Sequence, residues 1–406
     1  MVNDLALQRN KYKHLSDEEW RWFLQQVEGR ERTADKLPTF AAIDDWWYPV
    51  RLSCEQCSSE ATARYKASLC QPAGRSLLDL TGGYGVDTYF LSELFDQTDY
   101  VEQNAELCRI AAHNFKRPTP TLPEGKEITV HNTTAEEFLH RTPYTVHPYS
   151  LIFLDPARRD SHGGKVFKLA DCTPNVVEML PTLLSHLTPD GRIMLKLSPM
   201  IDLTQALKEL APSTVHHTPY TLLWDVHIVA VKNEVKEVLL LSRYTDVSKY
   251  RDLGPTITAI DLSKKEQAFT FTREEEINSE AINVRSTINS EAINYLYEPN
   301  AAILKAGAYK LVAQRFGLQK LDVNTHLYTS ETLVENFPGR VWKVKEPTPT
   351  LPKGKEIKQA NVLVRNYPLT AEQLKKKLHL RDGGTAFVVG CRVVGKPTIF
   401  LGERVS

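Results

Sequence analysis

The stretch Ser76-Leu-Leu-Asp-Leu-Thr-Gly-Gly-Tyr-Gly-Val-Asp87 decides how the rest of the chain is read. A short apolar run closes on Asp79, three glycines follow at 82, 83 and 85, and a helical pattern then begins. This is the order strand, glycine turn, helix, which brings backbone N–H groups and a helix N-terminus close to a small bound molecule. Glycine supplies positive φ and close approach at such a turn. The spacing Gly-Gly-x-Gly is not the dinucleotide fingerprint G-x-G-x-x-G. A carboxylate at the strand end, Asp79, can meet a cationic amine directly or through water. Thr81, Gly82, Gly83, Gly85 and Asp87 complete the candidate cofactor loop.

Downstream, apolar strands alternate with helical segments. Strands are expected at Leu77–Leu80, Asp99–Glu102, Ile128–Val130, Ser150–Leu154 and Arg192–Leu197, with helices between them. That alternation predicts a parallel, doubly wound α/β sheet. Val226–Val231 and Val235–Ser242, joined by Lys232-Asn-Glu234, read as a closing antiparallel hairpin. Glu102 ends the second strand, 23 residues after Asp79, where a carboxylate accepts hydrogen bonds from ribose hydroxyls. NAD or FAD would suit Glu102 as well, but not the loop. Thr134-Ala135 falls where an adenine contact is expected, and equally where a helix cap would sit.

At the end of the fourth strand stands Asp155-Pro-Ala-Arg-Arg159. The carboxyl ends of strands in a doubly wound sheet face the ligand crevice. The run is similar to the Asp/Asn-Pro-Pro-aromatic motif of methyltransferases that act on exocyclic amines. There the carboxylate and the first proline's carbonyl accept hydrogen bonds from the amine and aim its lone pair at the methyl sulfonium. Here Asp155 and Pro156 are kept. Ala157 replaces the second proline and Arg158 the aromatic, so an oxygen acceptor or a protein amine stays open. Arg158 can stack on a base or, with Arg159, grip phosphate. Ser161-His-Gly-Gly-Lys165, then Phe167, reads as a loop over the acceptor. Lys165 is a phosphate contact and Phe167 a stacking residue. His162 is either a base or an exposed bystander, and amine methylation needs no strong base before transfer.

The flanks set the context. At 406 residues, 42% hydrophobic and 25% charged, the chain has the composition of a globular protein of two or three domains. No apolar run approaches the roughly 18–20 residues of a membrane span, and no signal peptide is legible, so a cytoplasmic protein without membrane attachment is expected. Six cysteines with a single C-x-x-C, Cys54 and Cys57, predict buried or half-buried thiols and no metal site. The net charge is zero, but residues 301–406 hold 18 Lys+Arg against 8 Asp+Glu, leaving 32 against 42 in residues 1–300. A basic C-terminal quarter points to an anionic partner there or to an uneven solvated surface.

Ser16 with Glu19 predicts a capping box opening a helix. Glu55–Lys66 predicts a helix that is either a solvated face or a wall of the cofactor site. Ile277–Asn283 and Ile288–Asn294 repeat Ile-Asn-Ser-Glu-Ala-Ile-Asn, a local duplication. Thr119–Ile128 and Thr348–Ile357 are identical but for Glu124 and Lys353, and read as extended connectors. Thr370 and Gln373 cap a helix carrying Lys375, Lys376 and Lys377, candidates for capturing an anionic partner.

Together these stretches resemble the THUMP-like-domain-containing class I S-adenosylmethionine (SAM)-dependent methyltransferases of bacteria. The matching residues are Gln56–Lys66, Asp79–Asp87, Asp155–Arg159, Tyr295-Leu-Tyr-Glu-Pro-Asn-Ala-Ala-Ile-Leu-Lys-Ala-Gly307 and the Gly383-Gly384 module. The resemblance implies a Rossmann-like core with a helical N-terminal region, and ferredoxin-like and THUMP-like α+β domains after it. The expected division is 1–70, 71–245, 246–335 and 336–406. The resemblance also implies SAM as cofactor and tRNA or rRNA as substrate. A protein or small-molecule acceptor, or a catalytically silent RNA-binding factor, are the alternatives.

Overall fold

A computed structural model describes residues 9–70, 76–117, 126–142, 148–158, 168–211, 220–246, 255–263, 268–279, 293–348 and 357–405. The chain forms two compact units, one of residues 1–225 with 238–250, the other of residues 226–237 with 251–406.

The first unit begins with helices. Helix α1 (Asp17–Thr33) opens on the expected capping box: Ser16 accepts from the Glu19 N–H while Glu19 reaches back to the Ser16 N–H. Short helices α2 (Pro38–Ala41), α3 (Arg51–Gln56) and α4 (Glu60–Ser68) follow. Their apolar residues, Leu37, Phe40, Trp46, Tyr48 and Ala63, form one buried cluster with Tyr84, Val86, Tyr89 and Phe90. Phe40 is fully buried against the rings of Trp46, Tyr84, Tyr89 and Phe90. The N-terminal helices are therefore packed onto the glycine loop and the helix behind it.

The sheet of this unit contains β1 (Ser76–Asp79), β2 (Gln97–Glu102), β3 (Glu127–Asn132), β4 (Tyr149–Leu154), β5 (Leu187–Leu197) and β7 (Glu234–Asp246), in the order β3-β2-β1-β4-β5-β7. Strands β1 to β5 are parallel, and β7 runs antiparallel to β5, with Met194 opposite Leu241. Helices α5 (Val86–Ser92), α6 (Ala105–Asn114), α7 (Ala135–Arg141), α8 (Val176–Ser185) and α9 (Leu203–Glu209) connect the strands. The order reverses between β1 and β4, and the crevice outside the carboxyl ends of those two strands is where such a fold binds ligands.

Strand β6 (Tyr220–Val231) turns into β7 through Lys232 and Asn233, whose φ angles are 53° and 62°. Two consecutive positive φ values make a type I′ turn, which matches the twist of the flanking strands. The turn is one residue shorter than the sequence suggests, because Glu234 already belongs to β7.

In the second unit the end of β6 pairs in parallel with β8 (Thr256–Asp261), which pairs antiparallel with β9 (Phe269–Thr272). Helix α10 (Arg273–Asn278) follows, and its Glu276 carboxylate accepts the N–H groups of Tyr309, Lys310 and Leu311. A seven-stranded sheet completes the unit. Its strands are β10 (Tyr295–Pro299), β11 (Gln319–Asp322), β12 (Thr325–Ser330), β13 (Gly339–Thr348), β14 (Asn361–Arg365), β15 (Ala386–Val393) and β16 (Lys396–Arg404), in the order β11-β12-β10-β13-β16-β15-β14. Helices α11 (Ala301–Ala306) and α12 (Tyr309–Phe316) follow β10. Helix α13 (Ala371–Lys377), opened by the Thr370–Gln373 capping box, joins β14 to its parallel neighbour β15. Most residues of the duplicated segments, and of the two Pro-rich connectors, lie outside the described residues. Among the described residues no helix is long and apolar enough to cross a membrane.

Candidate active site

A cavity of about 440 Å³ in the first unit opens at the carboxyl ends of β1, β2 and β4. Its lining includes Asp79, Thr81, Gly82, Gly83, Gly85, Asp87, Glu102, Thr134, Ala135 and Asp155. The structure thus brings every sequence-predicted cofactor residue and one of the two acceptor residues to one cavity.

The loop is shaped by what lies under it. A Cβ on Gly82 would stand 2.1 Å from the Tyr100 ring, so no other residue fits there without moving the ring. The Tyr100 hydroxyl donates to the Gly83 carbonyl at 2.5 Å. Gly83 has φ +55°, yet a Cβ there would meet only the Thr81 carbonyl, at 3.8 Å, so its side faces open space. Glu102 accepts from the N–H of Gly83 at 2.9 Å and from that of Asn104 at 2.7 Å. One carboxylate therefore fixes the loop and the start of α6, and retains acceptor capacity toward the cavity.

Asp79 is 1% exposed. Its carboxylate accepts from the Thr88 hydroxyl at 2.5 Å and the Thr81 N–H at 3.0 Å. Burial pushes its pKa up to about 7, against the pull of those two bonds and with a further push from Asp87 and Asp155. A cationic group on a ligand would reverse that shift.

Asp87 meets a fully buried lysine. Lys66, on α4, pairs with Asp87 at 3.1 Å, and the Ser58 hydroxyl donates to the same carboxylate at 2.7 Å. The single helix expected over Glu55–Lys66 is broken: α3 ends at Gln56 and Ser59 caps α4 by accepting the Thr62 N–H, and Gln56, Cys57 and Ser58, at the break, line the cavity. The C-x-x-C thiols are free, Cys54 buried and Cys57 half-buried, and burial pushes the Cys54 pKa up to about 12.

On the far side of the loop, the Asp155 N–H donates to the Thr81 hydroxyl at 2.6 Å, tying the Asp-Pro run to the glycine loop. The Asp155 carboxylate forms an ion pair with Lys196, at the end of β5, whose side chain is 14% exposed. Sequence reasoning missed Lys196. The available signal was a lone charge in the apolar run Ile193-Met-Leu-Lys-Leu197, which needs a partner when buried. Pro156 is buried, and the backbones of Ala157 and Arg158 pair with Thr173 and Cys172. Thr134 caps α7, accepting from the Glu137 N–H at 3.2 Å, and also lines the cavity. Arg159, Lys165 and Phe167, with Ser161 and His162, lie outside the described residues.

The three lysines of α13 belong to the second unit. Lys375 is paired with Glu372 at 2.8 Å and Asp382 at 2.7 Å, whereas Lys376 and Lys377 are exposed.

Comparison with known proteins places these features. Residues 295–338 match the family model of a ferredoxin-like domain, and residues 339–404 match one described as THUMP domain-like. A putative methyltransferase from Porphyromonas gingivalis W83 is 34% identical, with 97% of this chain and 92% of that one covered, at a TM-score of 0.80. An rRNA methylase from Streptococcus thermophilus is 14% identical over 45% of this chain and 93% of that one, at a TM-score of 0.31. A putative methyltransferase from Streptococcus mutans in complex with SAH is 12% identical over 45% and 95%, at 0.28. No curated protein matches the sequence.

Proposed function

Because the chain belongs to the THUMP-like-domain-containing class I SAM-dependent methyltransferases, with a Rossmann-like core and ferredoxin-like and THUMP-like domains after it, we propose that it N-methylates a base in tRNA or rRNA. The observation that carries this reading is the single cavity in which Asp155 stands beside the glycine loop, bonded to Thr81. The donor set fits SAM. The carboxylates of Asp79 and Asp87 suit a ligand that carries positive charge, and Glu102 lies where ribose hydroxyls would reach it. SAM, when bound, supplies an electrophilic methyl on sulfonium.

The rest is the work of this chain's residues. Asp155 and the Pro156 carbonyl accept hydrogen bonds from the acceptor amine and turn its lone pair toward the methyl carbon. Asp79, Asp87, Glu102 and the glycine loop would hold SAM, which would supply the methyl group, and the product ammonium would release its proton to solvent. Positioning of the acceptor by these residues would supply most of the rate. Lys196, paired with Asp155, holds that carboxylate in place. Arg158, Arg159, Lys165 and Phe167 contribute RNA contacts, and Lys376 and Lys377 add charge for the same partner. The division at 70, 245 and 335 and a cytoplasmic location remain part of this proposal. Methyl-labelled SAM incubated with RNA from a strain lacking the gene tests it: label enters RNA with wild-type protein. Label in protein or small molecules, with none in RNA, rejects it.

A further inference from the structure

The run Tyr297-Glu-Pro-Asn300 is among the most distinctive in the sequence, and the methyl-transfer chemistry does not use it. In the second unit it helps build a second cavity, of about 330 Å³, lined by Lys232, Asn233, Asp261, Asn300, Arg340 and Arg404 among others. The side chains lining it are polar or charged, apart from one glycine.

Three of these residues are cations and one is an anion. The anion is occupied internally: Asp261 accepts from the Asn233 N–H at 2.6 Å, the Ser263 N–H at 3.0 Å and the Ser263 hydroxyl at 2.6 Å. Those bonds also lock the β6–β7 turn, so Lys232 is presented from a fixed backbone. Arg340 is held from behind. Glu298, 1% exposed, accepts from its Nε at 2.7 Å and pairs with Arg365 on the other oxygen at 2.6 Å. The Arg340 guanidinium also lies 5.6 Å from the Trp342 ring centroid. A guanidinium has five donors, and the bonds to Glu298 use one edge of it. Such a preorganised group loses little entropy on binding an oxyanion. The side-chain amides of Asn233 and Asn300 add polar atoms around the same space, with Asn300 accepting the Ile303 N–H and Asn233 the Ala301 N–H.

A net positive, polar cavity excludes apolar and cationic ligands and suits an anion with several acceptor oxygens. We infer that this cavity binds a phosphate group of the RNA substrate, with Arg340, Arg404 and Lys232 as its ligands. The inference rests on the RNA reading above and adds to it a defined contact, separate from the lysines of α13. Two of the 18 basic residues of 301–406, Arg340 and Arg404, take part in it.

The test is the double variant K232N/R404Q. Asn tolerates the positive φ of the turn, and both changes leave the Glu298–Arg340 pair intact. Melting midpoint and SAM affinity report that the variant folds. Two phosphate-neutralising charges removed should lower the slope of log affinity against log salt by about 1.4 and weaken RNA binding about tenfold near 0.1 M salt. An unchanged slope and affinity in a folded variant, while wild-type protein binds RNA, overturns the cavity as the contact and leaves the RNA reading standing. Calorimetry with inorganic phosphate forms the second arm. Phosphate binding that the variant loses, in a protein that binds no RNA, overturns RNA as the source of the phosphate and the RNA reading with it.

Discussion

The crevice of the first unit and the polar cavity of the second are opposites in charge. The crevice of the first unit is lined by Asp79, Asp87, Glu102 and Asp155, and Asp87 is paired with the fully buried Lys66. The cavity of the second unit is lined by Lys232, Arg340 and Arg404, and its lining carboxylate, Asp261, is taken up by the backbone and Ser263. The first lining is rich in carboxylates and the second in cations. That difference matches a cationic cofactor in one place and a polyanion in the other. Changes that alter either balance break or sharpen the contrast.

The largest effect is expected at Asp155. Removing an acceptor that orients the reacting amine, Asp155→Ala, should lower kcat by about 10³-fold, as losses of such groups do. SAM affinity should stay within about twofold, since the Thr81 bond uses the Asp155 backbone N–H. Methyl-transfer assays and calorimetry on the same sample separate the two. Equal losses in both would show that Asp155 holds the cofactor instead.

Next comes the buried pair. Lys66→Met leaves Asp87 charged and unpaired, which costs about 3–5 kcal/mol when one partner of a buried ion pair is removed. Denaturant unfolding measures this, and a loss under about 1 kcal/mol would mean that Ser58 alone satisfies Asp87. Gly83→Val puts a β-branched residue at φ +55° with its side chain toward the crevice. The backbone strain is about 1–3 kcal/mol, and with the occupied space SAM affinity should fall about 100-fold.

The smallest effect is a pH dependence. The folded pKa of Asp79 is raised to about 7, above its unfolded value near 3.8. A carboxyl raised in this way contributes stability to the ligand-free protein below the unfolded pKa, and that contribution is lost as pH rises through about 7. Binding of a cationic ligand has the opposite sign, because it needs the ionised carboxylate. SAM affinity should therefore rise about tenfold between pH 6 and pH 8, and Asp79→Asn should flatten that rise. Calorimetry across this range would contradict the assignment if wild-type and Asp79→Asn profiles coincide.

The fold was legible wherever the signal is local. Alternating strands, the Ser16 and Thr370 capping boxes and the closing hairpin depend on neighbours in sequence, and all appear in the structure. The placement of the glycine loop and Glu102 was legible for the same reason, since each sits at a strand end. The pairings that tune the site were not. Lys196 with Asp155 spans 41 residues, and Ser58 with Asp87 spans 29. Which partner a charged residue finds across such distances depends on strand order, which periodicity does not encode. Tyr100 under Gly82 is a similar case, because the glycine announces a close approach without naming what approaches. The cavity of the second unit draws on β6, β8, β10, β13 and β16, so no single stretch of sequence outlines it.

The central claim is that this crevice methylates RNA, and the most direct measurement compares modified nucleosides. Total tRNA and rRNA from strains with and without the gene, digested and examined by mass spectrometry, should differ in one base carrying an N-methyl group. That nucleoside should return on complementation with the wild-type gene and not with Asp155→Ala. Identical nucleoside profiles in the two strains, under conditions where the protein is produced, would contradict the account.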